Sequence, residues 1–130
     1  MKGRILYIED NRQNLYLNSF ILEAADYHVL QARSGEEGIA LVEQHMPDLI
    51  LLDIQLPGMD GYEIARRLRK LPGGQKLPIV AVTSLAMVGD KEKAVAAGCD
   101  GYIEKPINPE TFLLQVELHL PKAETGGERA

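Results

Sequence analysis

The chain has one cysteine, Cys99, in 130 residues. An internal disulfide is therefore excluded, and a cysteine zinc site would need more thiols. Such sparing use of cysteine fits a reducing, intracellular setting. No apolar run approaches the ~20 residues of a membrane span, and residues 1–8 are too short and too strand-like for a signal peptide. We expect a cytoplasmic protein. Positive charge is also scarce: 14 Lys and Arg stand against 19 Asp and Glu, for a net charge of -5. A nucleic-acid footprint would need a basic patch, so that class is disfavoured. His28, His45 and His119 lack the spacing of a metal site. There is no internal repeat and no linker to a second domain.

What is present is ordinary for a soluble globular protein: 45% hydrophobic and 25% charged residues. A chain of this size buries roughly two-thirds of its unfolded surface and can hold its own core. We expect one domain over residues 1–121 and a polar, Gly-rich, disordered tail over 122–130.

The organising stretch is Pro47-Asp48-Leu49-Ile50-Leu51-Leu52-Asp53. Four consecutive apolar residues run into a carboxylate, which reads as a strand buried on both faces. Ile5-Leu6-Tyr7-Ile8 is a similar run ending in Glu9-Asp10. Asn11 then caps a helix with Leu15, Ile21, Leu22 and Ala25 inward. Tyr27–Ala32 is a strand with Val29 and Leu30 as its core. Ser34-Gly35-Glu36-Glu37 is a capping box. It opens a helix carrying Gly38, Leu41, Val42 and His45 on one face, stopped by Pro47.

Asp60 caps a third helix through about Lys70, with Ile64, Ala65 and Leu68 inward. Its basic end (Arg66, Arg67, Arg69, Lys70) reads as a solvated helix C-terminus. Pro78–Val82 is an apolar strand ending at Thr83-Ser84. Asp90 is expected to cap a helix to Ala97, with Gly98 closing it. Gly101-Tyr102-Ile103 is a short strand leading to Glu104-Lys105-Pro106. Asn108-Pro109-Glu110 opens the last helix, with Phe112, Leu113, Val116 and Leu120 inward and Pro121 ending it. Leu85–Val88 reads equally as core or as partner surface, and Cys99 as a small buried residue.

Strand and helix alternate five times. That pattern means α/β with a parallel sheet, and right-handed crossovers favour the strand order 2-1-3-4-5. All strand carboxyl ends then lie on one edge. Glu9, Asp10, Asp53, Thr83 and Lys105 arrive there, beside the crevice between strands one and three. Several carboxylates in one crevice need protons or a cation. All-oxygen ligands point to a hard divalent ion, with Mg²⁺ favoured. A facing lysine and a hydroxyl suit the oxygens of a phosphoryl group.

At this point the chain resembles the receiver domains of two-component response regulators, over residues 4–120. The resemblance rests on Glu9-Asp10 after strand one, Asp53 in LILLDIQLPGMDG, Thr83 in PIVAVTS, and Lys105-Pro106 in GYIEKPI. The segments EDNRQN, SLAMVGD and AAGCDGYIEKPI are most similar to CheY-like receivers of the single-domain DivK type and to those attached to hybrid histidine kinases. The resemblance implies a flavodoxin-like (βα)5 three-layer sandwich. It implies that Asp53 accepts a phosphoryl group from a histidine of a kinase or phosphotransfer protein. It further implies that Asp10, Asp53 and the backbone carbonyl of Gln55 ligate Mg²⁺, with Glu9 acting through a metal-bound water. Lys105 would pair with a phosphoryl oxygen, and the Lys105–Pro106 bond would be cis. Thr83 and Tyr102 would move together as the switch. Glu9 and Ser84 depart from the common pattern, where aspartate and alanine or glycine are usual. Gln55 and Leu85 flank the expected path of a hydrolytic water.

Four functions compete. The first is a phosphorylation-controlled signalling module, stand-alone or cut from a hybrid histidine kinase, catalysing only its own phosphoryl transfer and slow autodephosphorylation. Its output would pass through protein contacts of the fourth helix, fifth strand and fifth helix, around Met87, Val88, Tyr102 and Phe112. The second is a phosphohydrolase of the haloacid-dehalogenase type, which wants an acid where Gln55 stands. The third is a phosphate-independent adaptor, disfavoured by the complete set of site residues. The fourth is a flavin-binding protein, disfavoured because Glu9-Asp10 would repel a phosphate.

Overall fold

A computed structural model describes residues 2–56, 58, 60–84 and 89–120. Five strands alternate with five helices: β1 (Gly3–Ile8), α1 (Arg12–Ala24), β2 (Tyr27–Ala32), α2 (Gly35–Gln44), β3 (Leu49–Asp53), α3 (Gly61–Lys70), β4 (Ile79–Thr83), α4 (Asp90–Ala96), β5 (Gly101–Glu104) and α5 (Pro109–Glu117). The strands form one parallel sheet in the order β2-β1-β3-β4-β5.

The unbroken apolar runs of the central strands have a simple cause. Successive side chains leave opposite faces of a strand, and both faces of this sheet are covered. Leu6, Ile8, Ile50, Leu52, Ile79 and Ala81 face one core, shared with Val42, Ile64, Leu68 and Ala94 of α2, α3 and α4. Ile5, Tyr7, Leu49, Leu51, Val80 and Val82 face the other, shared with Leu15, Leu22, Phe112 and Val116 of α1 and α5. Each such aliphatic side chain contributes about 1.5–3 kcal/mol when fully buried.

Side-chain caps set the helix starts. Asn11 Oδ1 accepts from Asn14 N–H at 2.9 Å, Ser34 Oγ from Glu37 N–H at 3.1 Å, Asp60 Oδ1 from Tyr62 N–H at 3.1 Å, and Asn108 Oδ1 from Glu110 N–H at 2.9 Å. Glu37 reaches back to the N–H of Arg33 at 2.9 Å, completing the box one residue upstream of the cap. Gly61 starts α3 tight against the end of β3, where any Cβ would strike the Ile54 backbone.

Three boundaries differ from the sequence reading. Gly89, in the left-handed region at φ 93°, is the cap of α4, and Asp90 is its first, buried residue. The tight reversal needs glycine, and an acid in the first turn suits the helix dipole. His45 is exposed and outside the apolar face, because the chain turns extended there (φ -141°) and α2 ends at Gln44. Helix α5 ends at Glu117, a turn before Pro121; the last turn, Leu118–Leu120, is closed by hydrogen bonds from Leu118 N–H to Leu114 O and His119 N–H to Val116 O. Pro121, the 122–130 tail and Leu85–Val88 lie outside the described residues.

The basic end of α3 is not uniformly solvated. Arg66 and Arg67 are exposed and pair with Glu63. Arg69 turns inward, with 19% of its side chain exposed. Its guanidinium donates to the carbonyls of Gly74, Gln75, Leu77 and Gly98 and to Asp100 Oδ2, which also accepts from Ile79 N–H. One side chain thus ties the entry of β4 to the α4–β5 turn. Arg69→Met keeps the stem but orphans those carbonyls. It should destabilise the fold by about 2–4 kcal/mol. Urea unfolding followed by circular dichroism measures this, and a loss no larger than that of Arg66→Met would contradict the staple.

Candidate functional site

Strand alternation assembles the site. The β1–β3 register pairs Ile8 with Leu52, so Glu9 and Asp53 come next and side by side. Both continue the parity of Ile5 and Tyr7, Leu49 and Leu51, which face α1 and α5. Lys105 lies two residues beyond Ile103, on the same side. Thr83 follows Ile79 and Ala81, and Tyr102 packs with that opposite core. The acid–lysine cluster and the Thr83–Tyr102 pair therefore occupy opposite faces of one sheet edge.

The cluster is tight. Glu9 and Asp53 are 1% and 3% exposed. Lys105 Nζ sits between them, 3.1 Å from Glu9 Oε1 and 3.3 Å from Asp53 Oδ2. Asn11 N–H donates to Glu9 Oε2 and Gln55 N–H to Asp53 Oδ1, each at 3.0 Å. Glu9 Oε1 makes the ion-pair contact but no hydrogen bond. Burial raises the Glu9 pKa most, the Asn11 N–H opposes it, Asp53 adds to the rise, and Lys105 offsets part of it.

Asp10, the residue after Glu9, is exposed. Among the described residues no three His, Cys, Asp or Glu side chains stand in a ready metal-binding group. Mg²⁺ does not need one: it keeps several waters and takes one or two carboxylates. Two buried acids sharing one ammonium, with a buried carboxylate oxygen lacking a hydrogen bond, form a donor set that fits it. The Lys105–Pro106 peptide bond is cis. Thr83 is buried, and Tyr102 is half-buried with Lys91 Nζ 5.9 Å from its ring centroid.

Sequence reasoning missed the role of Tyr7, the contact between Gln55 and Ser84, and the apolar exposed face of α1. Tyr7, fully buried beneath the acids, has its hydroxyl held by Asn18 Nδ2 at 2.9 Å. Burial raises its pKa, opposed by Asn18 and reinforced by Glu9 and Asp53. An aromatic with a polar tip inside an aliphatic run was the available signal. The Gln55 carboxamide oxygen accepts from Ser84 Oγ at 2.6 Å and Ser84 N–H at 3.1 Å, which no spacing rule announces. Tyr16, Leu17 and Phe20 of α1 are 67%, 57% and 62% exposed. Leu17 and Phe20 line a groove of about 660 Å³ that reaches Lys105, Pro106 and Ser84. Phe112, expected inward on the last helix and also at the output surface, is fully buried and fills the core between α5 and the sheet, so it is not part of such a surface. Met87 and Val88 lie outside the described residues.

A doubly wound parallel sheet with buried acids and a lysine at its switch point defines a class of α/β proteins that bind ligands at strand ends. Residues 5–117 match the family model described as the response regulator receiver domain. The polar-differentiation response regulator DivK of Brucella ovis is 38% identical over 123 residues, 95% of this chain and 100% of that protein. Vibrio cholerae chemotaxis protein CheY4 aligns with a TM-score of 0.88 at 28% identity, covering 92% of this chain and 100% of that one. The receiver domain of a sensor histidine kinase from Pseudomonas aeruginosa, solved with a magnesium ion coordinated in its active site cleft, gives 0.84 at 30% identity and covers 92% and 98%. The chain belongs to the response regulator receiver domain family, and it is a phosphorylation-controlled signalling domain of the two-component type.

The raised pKa of Glu9 has a measurable sign. A group that ionises less readily when folded contributes its full stability below its ordinary value of 4.5 and loses it as pH rises through the folded value. Glutamine cannot ionise. In magnesium-free buffer Glu9→Gln should therefore resist urea better than the parent at pH 7, with the gain shrinking towards pH 4. Equal or lower stability of the variant at pH 7 would contradict the shift.

Proposed function

We propose that Asp53 is the phosphoacceptor, taking a phosphoryl group from a phosphohistidine of a histidine kinase or phosphotransfer protein. The observation that carries the reading is a buried carboxylate at the central strand end with an ammonium 3.3 Å from one oxygen and an N–H 3.0 Å from the other. Those two contacts fix the carboxylate's orientation for in-line attack. An Asp53 oxygen bonds to phosphorus as the donor's N–P bond breaks and the imidazole leaves. Lys105, already on the acids, is placed to follow the new charge onto the phosphoryl oxygens.

Asp10, Asp53 and the Gln55 carbonyl are the residues that would hold Mg²⁺, with Glu9 acting through water. When bound, the ion would neutralise charge developing on the transferred group. Thr83 and Tyr102, on the other face, would carry the change to α4, β5 and α5. Val95 of α4, Leu114 of α5 and Leu118 just after α5, at 70%, 63% and 74% exposed, are apolar residues available to a partner. The chain's own catalysis is limited to its phosphoryl transfer and a slow autodephosphorylation. No described helix is long and apolar enough to cross a membrane, and we place the domain in the cytoplasm. A dehalogenase-type hydrolase would need a proton donor where Gln55 offers a carboxamide.

Incubation with Mg²⁺ and acetyl phosphate should add one acid-stable, base-labile phosphoryl group, read by intact mass. Asp53→Asn should abolish it. Lys105→Ala should slow it by about 10²-fold, the scale of losing one charge-stabilising donor. Label that persists in Asp53→Asn, or none in the parent, sinks the assignment.

A further inference from the structure

Gln55 touches both halves of the site. Its backbone N–H holds Asp53 Oδ1 at 3.0 Å. Its carboxamide Oε1 gathers three donors of the β4 end: Ser84 Oγ at 2.6 Å, Ser84 N–H at 3.1 Å and Thr83 Oγ1 at 3.5 Å. These donors lie immediately past Val82, the β4 residue paired with Asp53. They thus stand at the end of the strand next to β3, as hydrogen-bond donors available to an oxygen carried on Asp53. One neutral oxygen with several convergent donors is a stand-in for such an oxygen.

We propose that the Gln55 side chain is a positioning residue that clasps the Thr83–Ser84 donors in the unmodified protein and releases them to the phosphoryl group. The inference rests on reading Asp53 as the phosphoacceptor. On modification, the Ser84 N–H and Thr83 O–H exchange the amide oxygen for an anionic one. Hydrogen bonds to a charged oxygen are roughly twice as strong as those to a neutral one, so the exchange runs forward. The clasp subtracts from its net gain, because three contacts must open first. It therefore sets how much of the phosphoryl group's interaction is left to move Thr83. Ser84, whose hydroxyl makes the shortest of the three bonds, strengthens the clasp where a smaller residue would weaken it.

The test is the affinity for beryllofluoride, a phosphoryl mimic, with Mg²⁺ present, read from backbone amide shifts. Gln55→Leu removes the acceptor and keeps the backbone carbonyl and N–H. It should bind the mimic about 3- to 10-fold more tightly, the scale of one or two modest hydrogen bonds. Ser84→Ala should tighten binding by a smaller factor in the parent and add nothing in the Gln55→Leu background, since the two share one contact. A parent that binds alongside a Gln55→Leu that binds no better, or additive single changes, overturns the clasp. A purely structural Gln55 would shift the urea midpoint and leave the affinity alone, which also overturns it. A parent that binds no mimic and takes no phosphoryl group overturns the reading of Asp53, and the clasp with it, and is told apart by that double failure.

Discussion

Two carboxylates buried side by side, with one ammonium between them, set the terms for everything around the site. Glu9 and Asp53 are almost fully enclosed, and Lys105 touches both. Desolvation, reinforced by the neighbouring Asp53, works against ionising Glu9. The Asn11 and Gln55 N–H groups and the lysine are what make the arrangement tenable. A site built this way has an unmet demand for positive charge. That demand makes it receptive to a hard cation and to a group that redistributes charge among the acids.

The parallel sheet meets this demand through geometry. Parity along three strands delivers Glu9, Asp53 and Lys105 to the face covered by α1 and α5. The same parity sends Thr83 and Tyr102 to the face covered by α2, α3 and α4. The acid–lysine cluster and the Thr83–Tyr102 pair are thus separated by the thickness of one sheet, yet joined at one edge. Rearrangement on one face can reach the other through a single strand end, without unfolding either core.

Around that edge, stiffness and freedom are unequally divided. Arg69 pins the loops on the far side of β4 through four carbonyls and Asp100. At the site end, β4 is held to the β3–α3 loop through the Gln55 carboxamide, a contact made of neutral hydrogen bonds. Neutral contacts at an exposed rim are the ones a new anion can displace. The far end of the strand is anchored by a guanidinium that has no such competitor.

Much of this was legible in the residues. Apolar runs, caps and turn residues announced all ten elements, and alternation announced the parallel sheet. The acids, Thr83 and Lys105 stood at strand ends in the chain itself. Period and propensity are local properties, so sequence alone determined them. The tertiary structure decided the rest. It curled Arg69 onto backbone carbonyls and moved the cap of α4 from Asp90 to Gly89. It also set Gln55 against Ser84, 29 residues away, and Asn18 against Tyr7. Such partnerships depend on where packed elements bring side chains together. A sequence can name the groups that will carry charge and hydrogen bonds, but only the packed chain decides which of them meet.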